Sequence, residues 1–318
     1  MIAIVGRPNV GKSTLLNALV GAHVSITSSK PQTTRNRVLG VATRADAQFV
    51  FVDTPGLQHR HRNLLTRRMN AGVGAAIQGV DAVLMVADAQ GWRDEDDAVL
   101  RLLPRAAAAA EPSAPSAAPG AAPPAEDGRS APPSRVVLAL SKTDLLREKS
   151  ALLPFIAQAS ARYPFAAIVP VSAARAWQLD DLFGVLRGLL PIGMPLFDAD
   201  DITDRSVRFL AAELVREQAF RLLGDELPYG LAVAIESWDE SPGRAVIAAQ
   251  IVVERESQRG IVVGAGGAKL REIGSKARTA IERLLEKKVF LQTHVRVAAG
   301  WSDDPRALDR LGVESPRS

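Results

Sequence analysis

The chain has 318 residues, 47% of them hydrophobic and 23% charged, a globular profile at a length where one core rarely keeps growing, so two domains are expected. It contains no cysteine, which excludes disulfides and thiolate metal sites and implies a reducing compartment. A net charge of +4 and a pI near 9.6 are only mildly basic, weak evidence by themselves for a polyanionic partner.

MIAIVG, residues 1–6, is a short apolar run closing on glycine, the pattern of a buried parallel strand. GRPNVGKS, Gly6 to Ser13, then fits G-x-x-x-x-G-K-[ST], and KSTLLNALVG carries helical periodicity to a closing glycine. Backbone N–H groups around Gly11 can surround phosphate oxygens only if no side chain intervenes, and the helix dipole favours the anion. Gly6, Arg7, Pro8, Asn9, Val10, Gly11 and Thr14 are therefore assigned to the phosphates of a nucleotide, with Lys12 on the β- and γ-phosphates and Ser13 on Mg²⁺. QTTR, residues 32–35, falls in the long loop before the next strand, and its Thr34 is the residue expected to close onto Mg²⁺ when a γ-phosphate is present. AQFVFVDTPG reads as a strand ending in a turn, where Asp53 would hold Mg²⁺ through its water shell and the Gly56 N–H would meet the γ-phosphate, Thr54 and Pro55 being counted in the same turn.

Further buried strands are read in VDAVLMVADA, RVVLALSKTD and FAAIVPVSA, with helical stretches at 64–78, 94–103 and 179–190. Strand and helix alternate, so the first unit is an α/β domain: an open, mostly parallel sheet with helices on both faces and ligands at the carboxyl ends of its strands. Residues 104–134 interrupt it with 12 Ala and 8 Pro, a composition that cannot offset its ordering entropy and is expected to be a disordered surface insertion. In SKTD, residues 141–144, Asp144 can accept from both N1–H and the exocyclic amine of guanine, a donor pair adenine lacks, while the Lys142 stem packs along the base. Ser141 and Thr143 belong to the same base loop, and VSA supplies Ser172 and a backbone N–H from Ala173 toward the guanine oxygen.

A second unit begins after PIGMPLFDADD: a helix over 205–223, two strands joined by a turn at Ser241–Gly243, a short helix, the loop Gly264-Ala265-Gly266-Gly267, a long helix over 268–287 and a strand over 289–298. The order α-β-β-α-α-β describes a small α+β domain with no parallel-sheet pattern. This loop is open to two readings: a GxxG clamp on the backbone of about four single-stranded nucleotides, to which Lys269, Arg271 and Lys276 on the next helix would add attraction, or a flexible helix–helix turn. Between Arg255 and Arg296 ten Lys/Arg face four Glu, which charge alone would assign to a solvated helix face. The boundaries expected are 1–192, a linker at 193–204, 205–300, and a polar tail at 301–318. The four histidines, His23, His59, His61 and His294, show no ligand spacing, and His59 and His61 are expected in solvent. No apolar run approaches the ~18 residues of a membrane span, and the N-terminus, entering a phosphate loop directly, does not read as a signal peptide.

GRPNVGKS, QTTR, DTPG, SKTD and VSA, followed by a domain with a GxxG loop, resemble the Era-type GTPases, and LLGDELPYG, VERESQRGIVVGAGGAKLREIG and EKKVFL are particularly close. The resemblance covers about residues 1–300 except the insertion, and implies a P-loop GTPase domain followed by a KH domain. It implies GTP and GDP with Mg²⁺ as ligands, binding to the 3′ end of small-subunit ribosomal RNA, no DNA, and assistance to small-subunit assembly by a cytoplasmic monomer. Peripheral association with the inner face of the membrane, another RNA target, or GTP binding without hydrolysis are the alternatives. Three departures stand out. Ser141 replaces the usual Asn, Ala265 the usual Lys, and the family usually has several residues before the first strand, which implies a start upstream of Met1. Leu57 stands where many GTPases have a water-orienting Gln, so hydrolysis is expected to be slow or assisted. Asn9 is open to two readings: a ligand of K⁺ beside the phosphates, as in related GTPases, or a loop-stabilising residue.

Overall fold

The computed structural model describes residues 1–28, 30, 33–56, 63–104, 134–224 and 230–313. The insertion, apart from Pro104 and Ser134, lies outside the described residues, as do Leu57, His59 and His61.

The first unit is a six-stranded sheet ordered β2-β3-β1-β4-β5-β6. Its strands are β1 (Ile2–Val5), β2 (Val38–Arg44), β3 (Ala47–Asp53), β4 (Ala82–Asp88), β5 (Val136–Ser141) and β6 (Ala167–Pro170). All pairings are parallel except β2–β3. Every residue of β1, β4 and β5 is buried, as continuous apolar runs covered on both faces require. One face packs on α1 (Lys12–Val20) and α5 (Leu179–Arg187) around Leu15, Leu16, Phe49, Phe51 and Phe183. The other packs on α2 (Leu64–Ile77), α3 (Asp94–Leu100) and α4 (Leu152–Arg162) around Val73, Val99 and Ala159.

Strand β2 and helix α4 are absent from the sequence reading. In VLGVATR a Cβ on Gly40 would sit 2.6 Å from Leu16 Cδ1, so close packing against α1 demands glycine at this strand position. The helices expected over 64–78, 94–103 and 179–190 end earlier, at Ile77, Leu100 and Arg187.

The second unit opens with α6 (Val207–Leu222), capped by Ser206 Oγ accepting from Phe209 N, and continues with β7 (Leu231–Ser241), β8 (Arg244–Val253), α7 (Glu256–Val263), α8 (Ala268–Leu285) and β9 (Lys288–Val297). The expectation of no parallel pairing here is corrected: β7 and β8 are antiparallel, but β9 runs parallel to β8 because α7, the glycine loop and α8 form a crossover between them. Helices α6 and α8 cover one face of this sheet, burying Ala211, Val215, Ile247, Ile251, Ile273 and Ile281.

The polar tail expected at 301–318 is also corrected. Trp301 is 1% exposed and Leu308, on the short helix α9 (Pro305–Arg310), is 0% exposed. Together with Val313 they pack against Ala232 and Val252 of the second domain and Leu65 and Met69 of α2 in the first. Asp303 Oδ1 accepts from Leu64 N (2.8 Å), and Arg68 Nη1 donates to Asp309 Oδ1 (2.7 Å) and Val313 O (2.9 Å). The apolar residues of this segment are too sparse to show a period, and their burial depends on two surfaces brought together from elsewhere in the chain. The linker is likewise laid against the first sheet: Val41 N donates to Ile202 O, and Gln48 Oε1 accepts from Leu196 N and Phe197 N.

Candidate nucleotide site and glycine-loop interface

The phosphate loop connects β1 to α1 at the carboxyl edge of the sheet. A Cβ on Gly6 would lie 2.4 Å from Val86 O, and one on Gly56 would lie 3.0 Å from the Pro8 backbone, so both glycines are demanded by close approach. Gly11 (φ 98°) and Asn9 (φ 65°) take left-handed conformations that turn the loop back over the helix N-terminus. Lys12 is 7% exposed, and its Nζ donates to Gly6 O and Arg7 O, both at 3.0 Å. Burial pushes Lys12 down to about 8, against the attraction of Asp53. Arg7 is anchored away from the loop mouth by its Nε donating to the fully buried Asp96 of α3 (3.0 Å).

Ser13, Thr34 and Asp53, drawn from α1, the following loop and β3, converge. Ser13 Oγ and Thr34 Oγ1 are 2.8 Å apart; Ser13 Oγ donates to Asp53 Oδ2 at 2.9 Å and Thr34 Oγ1 at 3.2 Å. A fourth member, Ser25, was not singled out in the sequence; its Oγ donates to the same oxygen at 2.9 Å. Nothing in the run HVSITSSK distinguishes Ser25 from its neighbouring hydroxyls. Asp53 is wholly buried, its Oδ1 has no partner, and burial raises its pKa. A buried carboxylate with an orphaned oxygen among serine and threonine hydroxyls is a hard, all-oxygen donor set, which suits Mg²⁺ and not a soft metal. Among the described residues no group of three or more His, Asp or Glu offers another metal site.

Pro8, Asn9, Thr14 and Gly56 line the same cleft, which residues 26–28, Lys30 and Thr33 also line; residues 26–28 and Lys30 were missed because the loop carries no motif before QTTR. Val10 is buried beneath the loop, and Thr54 Oγ1 donates to Ile4 O (2.8 Å), tying the DTPG turn to β1. Pro55 lies in that turn.

The base loop leaves β5 beside the phosphate loop. Ser141 Oγ lies 2.5 Å from Val10 O and 3.0 Å from Ala87 O, so its one proton still ties the base loop to the phosphate loop, as the longer Asn would. Lys142 (φ 59°) is held by Asp88 Oδ2 (2.8 Å), and Thr143 Oγ1 donates to Val171 O (3.0 Å). Asp144 is exposed, and Ser172 Oγ donates to its Oδ1 (2.6 Å), fixing the carboxylate while leaving room for a further donor; Ala173 follows in the same turn.

Residues 23–28, Lys30 and residues 33–35 lie along α6 of the second domain. Glu217, 2% exposed, accepts from Thr27 N (2.8 Å) and Thr27 Oγ1 (3.0 Å) and meets His23 Nε2 (3.2 Å). Burial pushes its pKa up, but these hydrogen bonds and the Arg221 cation outweigh burial and hold it below the usual carboxylate range. Arg35, next to Thr34, is 6% exposed; its Nη1 donates to Leu231 O (2.6 Å) and its guanidinium lies 5.8 Å from the ring centres of Phe220 and Trp301. Arg216 Nη2 donates to Thr33 O.

In the second domain Gly264 (φ 70°), Gly266 (φ 57°) and Gly267 (φ 78°) all take positive φ at the N-terminus of the 18-residue helix α8. A Cβ on Gly264 would lie 2.7 Å from Lys269 Cβ, whereas Gly266 and Ala265 face open solvent. Arg271 Nη2 folds back to Gly266 O (2.6 Å), and Lys276 is paired with Glu272 (2.8 Å), so of the three expected cations Lys276 is the one already neutralised.

A model of the 50S ribosome-binding GTPase family matches residues 1–112, and a KH-domain model matches residues 226–302. The chain is 48% identical to GTPase Era of Bordetella avium over 313 residues, 98% of this chain and 97% of that one. It is also 48% identical to GTPase Era of Xanthomonas axonopodis pv. citri, covering 98% and 96%. Two solved structures superpose with TM-scores of 0.85 at 35% identity: Era of Aquifex aeolicus bound to GDP.AlF4-, covering 98% of each chain, and Era in complex with MgGDPNP and nucleotides 1506–1542 of 16S ribosomal RNA, covering 98% and 97%.

Proposed function

This chain belongs to the Era family of GTPases, and on that premise we propose that it is a GTP-driven switch that binds the 3′ end of small-subunit ribosomal RNA and assists assembly of that subunit in the cytoplasm. The observation that carries the switch is the adjacency of Thr34 and Arg35. One side chain belongs to the Ser13–Asp53 oxygen cluster, and the next is buried against Leu231 and Phe220 of the RNA-binding domain. Whatever draws Thr34 onto a nucleotide must therefore pull on the second domain.

In this reading Gly6–Thr14 wrap the phosphates, Lys12 neutralises the β- and γ-oxygens, and the Gly56 N–H meets the γ-phosphate. Ser13, Thr34 and Asp53 would hold Mg²⁺, which when bound would neutralise charge on the phosphates. Asn9 lies at the cleft where K⁺ would add positive charge. Asp144, steadied by Ser172, reads guanine while Lys142, steadied by Asp88, packs along the base. Gly264–Gly267 clamp about four nucleotides, with Lys269 and Arg271 beside them, so the rest of a longer strand must meet other surface. The chain acts as a monomer. No described helix is long and apolar enough to cross a membrane, and a peripheral membrane contact is the secondary partner reading.

The experiment that tests the switch is RNA affinity measured with GDPNP and with GDP, beside single-turnover GTP hydrolysis. The two RNA affinities are expected to differ severalfold in the parent protein and to draw together in Arg35→Ala, which removes the tie nearest Thr34 while Thr27–Glu217 and Arg216–Thr33 remain. Equal affinities in the parent would remove the switch. A second prediction concerns base choice. Asp144→Asn reverses hydrogen-bond polarity at the base edge, so preference shifts from GTP toward XTP by roughly the 1.5–3 kcal/mol of a charged hydrogen bond; unchanged affinities for both would show that Asp144 is not the base reader.

A further inference from the structure

One member of the hydroxyl cluster around Asp53 stands outside the nucleotide cleft. Ser13 and Thr34 are among the residues that line the cleft, whereas Ser25, 4% exposed, is not. Its place is set from α1. Asn17 follows Ser13 by four residues, one turn along the same face of that helix. Asn17 Oδ1 accepts from Val24 N (3.0 Å) and Ser25 N (2.9 Å), and its Nδ2 donates to Ser25 O (2.6 Å). The helix that presents Ser13 therefore also fixes the backbone from which Ser25 Oγ reaches Asp53 Oδ2 at 2.9 Å.

Three hydroxyls converge on Oδ2, from Ser13, Ser25 and Thr34, while Oδ1 has no partner. Ser13 and Thr34 each have a second task, because their oxygens also face the place of the metal. Ser25 has none, and its bond to Asp53 can persist whether or not an ion is bound. A fully buried carboxylate held at one oxygen by a fixed donor cannot turn freely about its Cβ–Cγ bond. Without that donor it can turn toward Lys12, whose charge attracts it and whose Nζ donates to Gly6 O and Arg7 O. A carboxylate already aimed at its ion loses less freedom when the ion arrives, so binding is tighter.

We propose that Ser25 is the positioning residue for Asp53: its hydroxyl, fixed by Asn17, holds the carboxylate in the orientation that serves Mg²⁺, and touches neither the ion nor the nucleotide. This rests on the nucleotide reading above.

The test is release of a fluorescent, non-hydrolysable GTP analogue from the full chain across a Mg²⁺ series, with excess EDTA as the metal-free point. In Ser25→Ala the Mg²⁺ concentration that half-maximally slows release is expected to rise about tenfold, the lower end for a lost hydrogen bond to a charged group, while release in EDTA stays within about twofold of the parent. A residue that only supported the loop would speed release with and without metal alike. Ser25→Cys separates positioning from ligation, because a thiol is a weak donor but a good ligand for a soft cation. In that variant Cd²⁺ is expected to slow release no better than in Ser25→Ala, since position 25 stands outside the cleft. Stronger retention by Cd²⁺ in Ser25→Cys would make position 25 a ligand and overturn the positioning role. Equal acceleration of release in Ser25→Ala with and without metal overturns it too. A parent protein whose release ignores Mg²⁺ overturns the nucleotide reading itself, whereas a Mg²⁺-dependent parent matched by Ser25→Ala leaves that reading standing and removes only this role.

Discussion

Lys12→Ala abolishes GTP binding at micromolar protein while the fold survives. The ammonium is nearly enclosed, held by two loop carbonyls, and aimed from the first helical residue toward the space its loop encloses. Removing one partner of a buried charge pair costs about 3–5 kcal/mol, because the other partner is left uncompensated. At about 1.4 kcal/mol per tenfold this is roughly two to three and a half orders of magnitude in Kd. The unliganded fold does not depend on this charge. Burial lowers Lys12 from 10.5 to about 8, so its charged form is penalised by folding; the penalty is complete below pH 8 and is relieved as pH rises from 8 to 10.5. At pH 7 the alanine variant is freed of that penalty, and its melting temperature should not fall by more than a few degrees. Calorimetric titration with GTP and Mg²⁺ gives the affinity, and a Kd equal to the parent's would remove Lys12 from the phosphate site.

Replacing Ala265 and Gly266 together by Asp is expected to reduce RNA affinity at least about a hundredfold and to leave GTP affinity unchanged. Both positions are exposed at the tip of the loop, and a Cβ on Gly266 meets no atom within contact distance. Gly266 has φ 57°, a left-handed conformation that Asp adopts more readily than most residues, so the loop keeps its shape. Two carboxylates at contact distance from phosphates then oppose binding directly, where water screens them least. Gly264 and Gly267, whose conformations set the turn, are untouched. Ala265→Lys works in the opposite sense, strengthening RNA binding and steepening its salt slope by about 0.7 for one added phosphate contact. Filter binding across a salt series, with GTP calorimetry as control, reads all three proteins. If the double-Asp variant binds RNA as the parent does, the second glycine loop is only a helix–helix turn.

Local pattern determined much of this protein. The phosphate loop, DTPG, SKTD and the glycine loop are contiguous motifs in which backbone conformation and side chain type jointly define one local geometry, so each is legible in a few residues. The buried parallel strands were legible for a related reason: a run such as VDAVLMVADA has only one stable place, between two helix layers. What the sequence could not determine depends on surfaces that meet only in the folded chain. Strand β2 carries Gly40, whose requirement comes from Leu16 on another element. Ser25 looks like any hydroxyl until β3 brings Asp53 to it. Trp301, Leu308 and Val313 read as strays in a polar tail, yet they fill the junction between α2 and the second sheet. Nothing in the sequence marks Arg35 or Glu217 as buried, yet they are nearly fully buried where the loop bearing Thr34 crosses α6. Each motif carries its own hydrogen-bonding geometry within a few residues. The coupling between the two domains is carried by single side chains nearly two hundred positions apart, and only the packing of one domain on the other takes their charges out of water and gives them their partners.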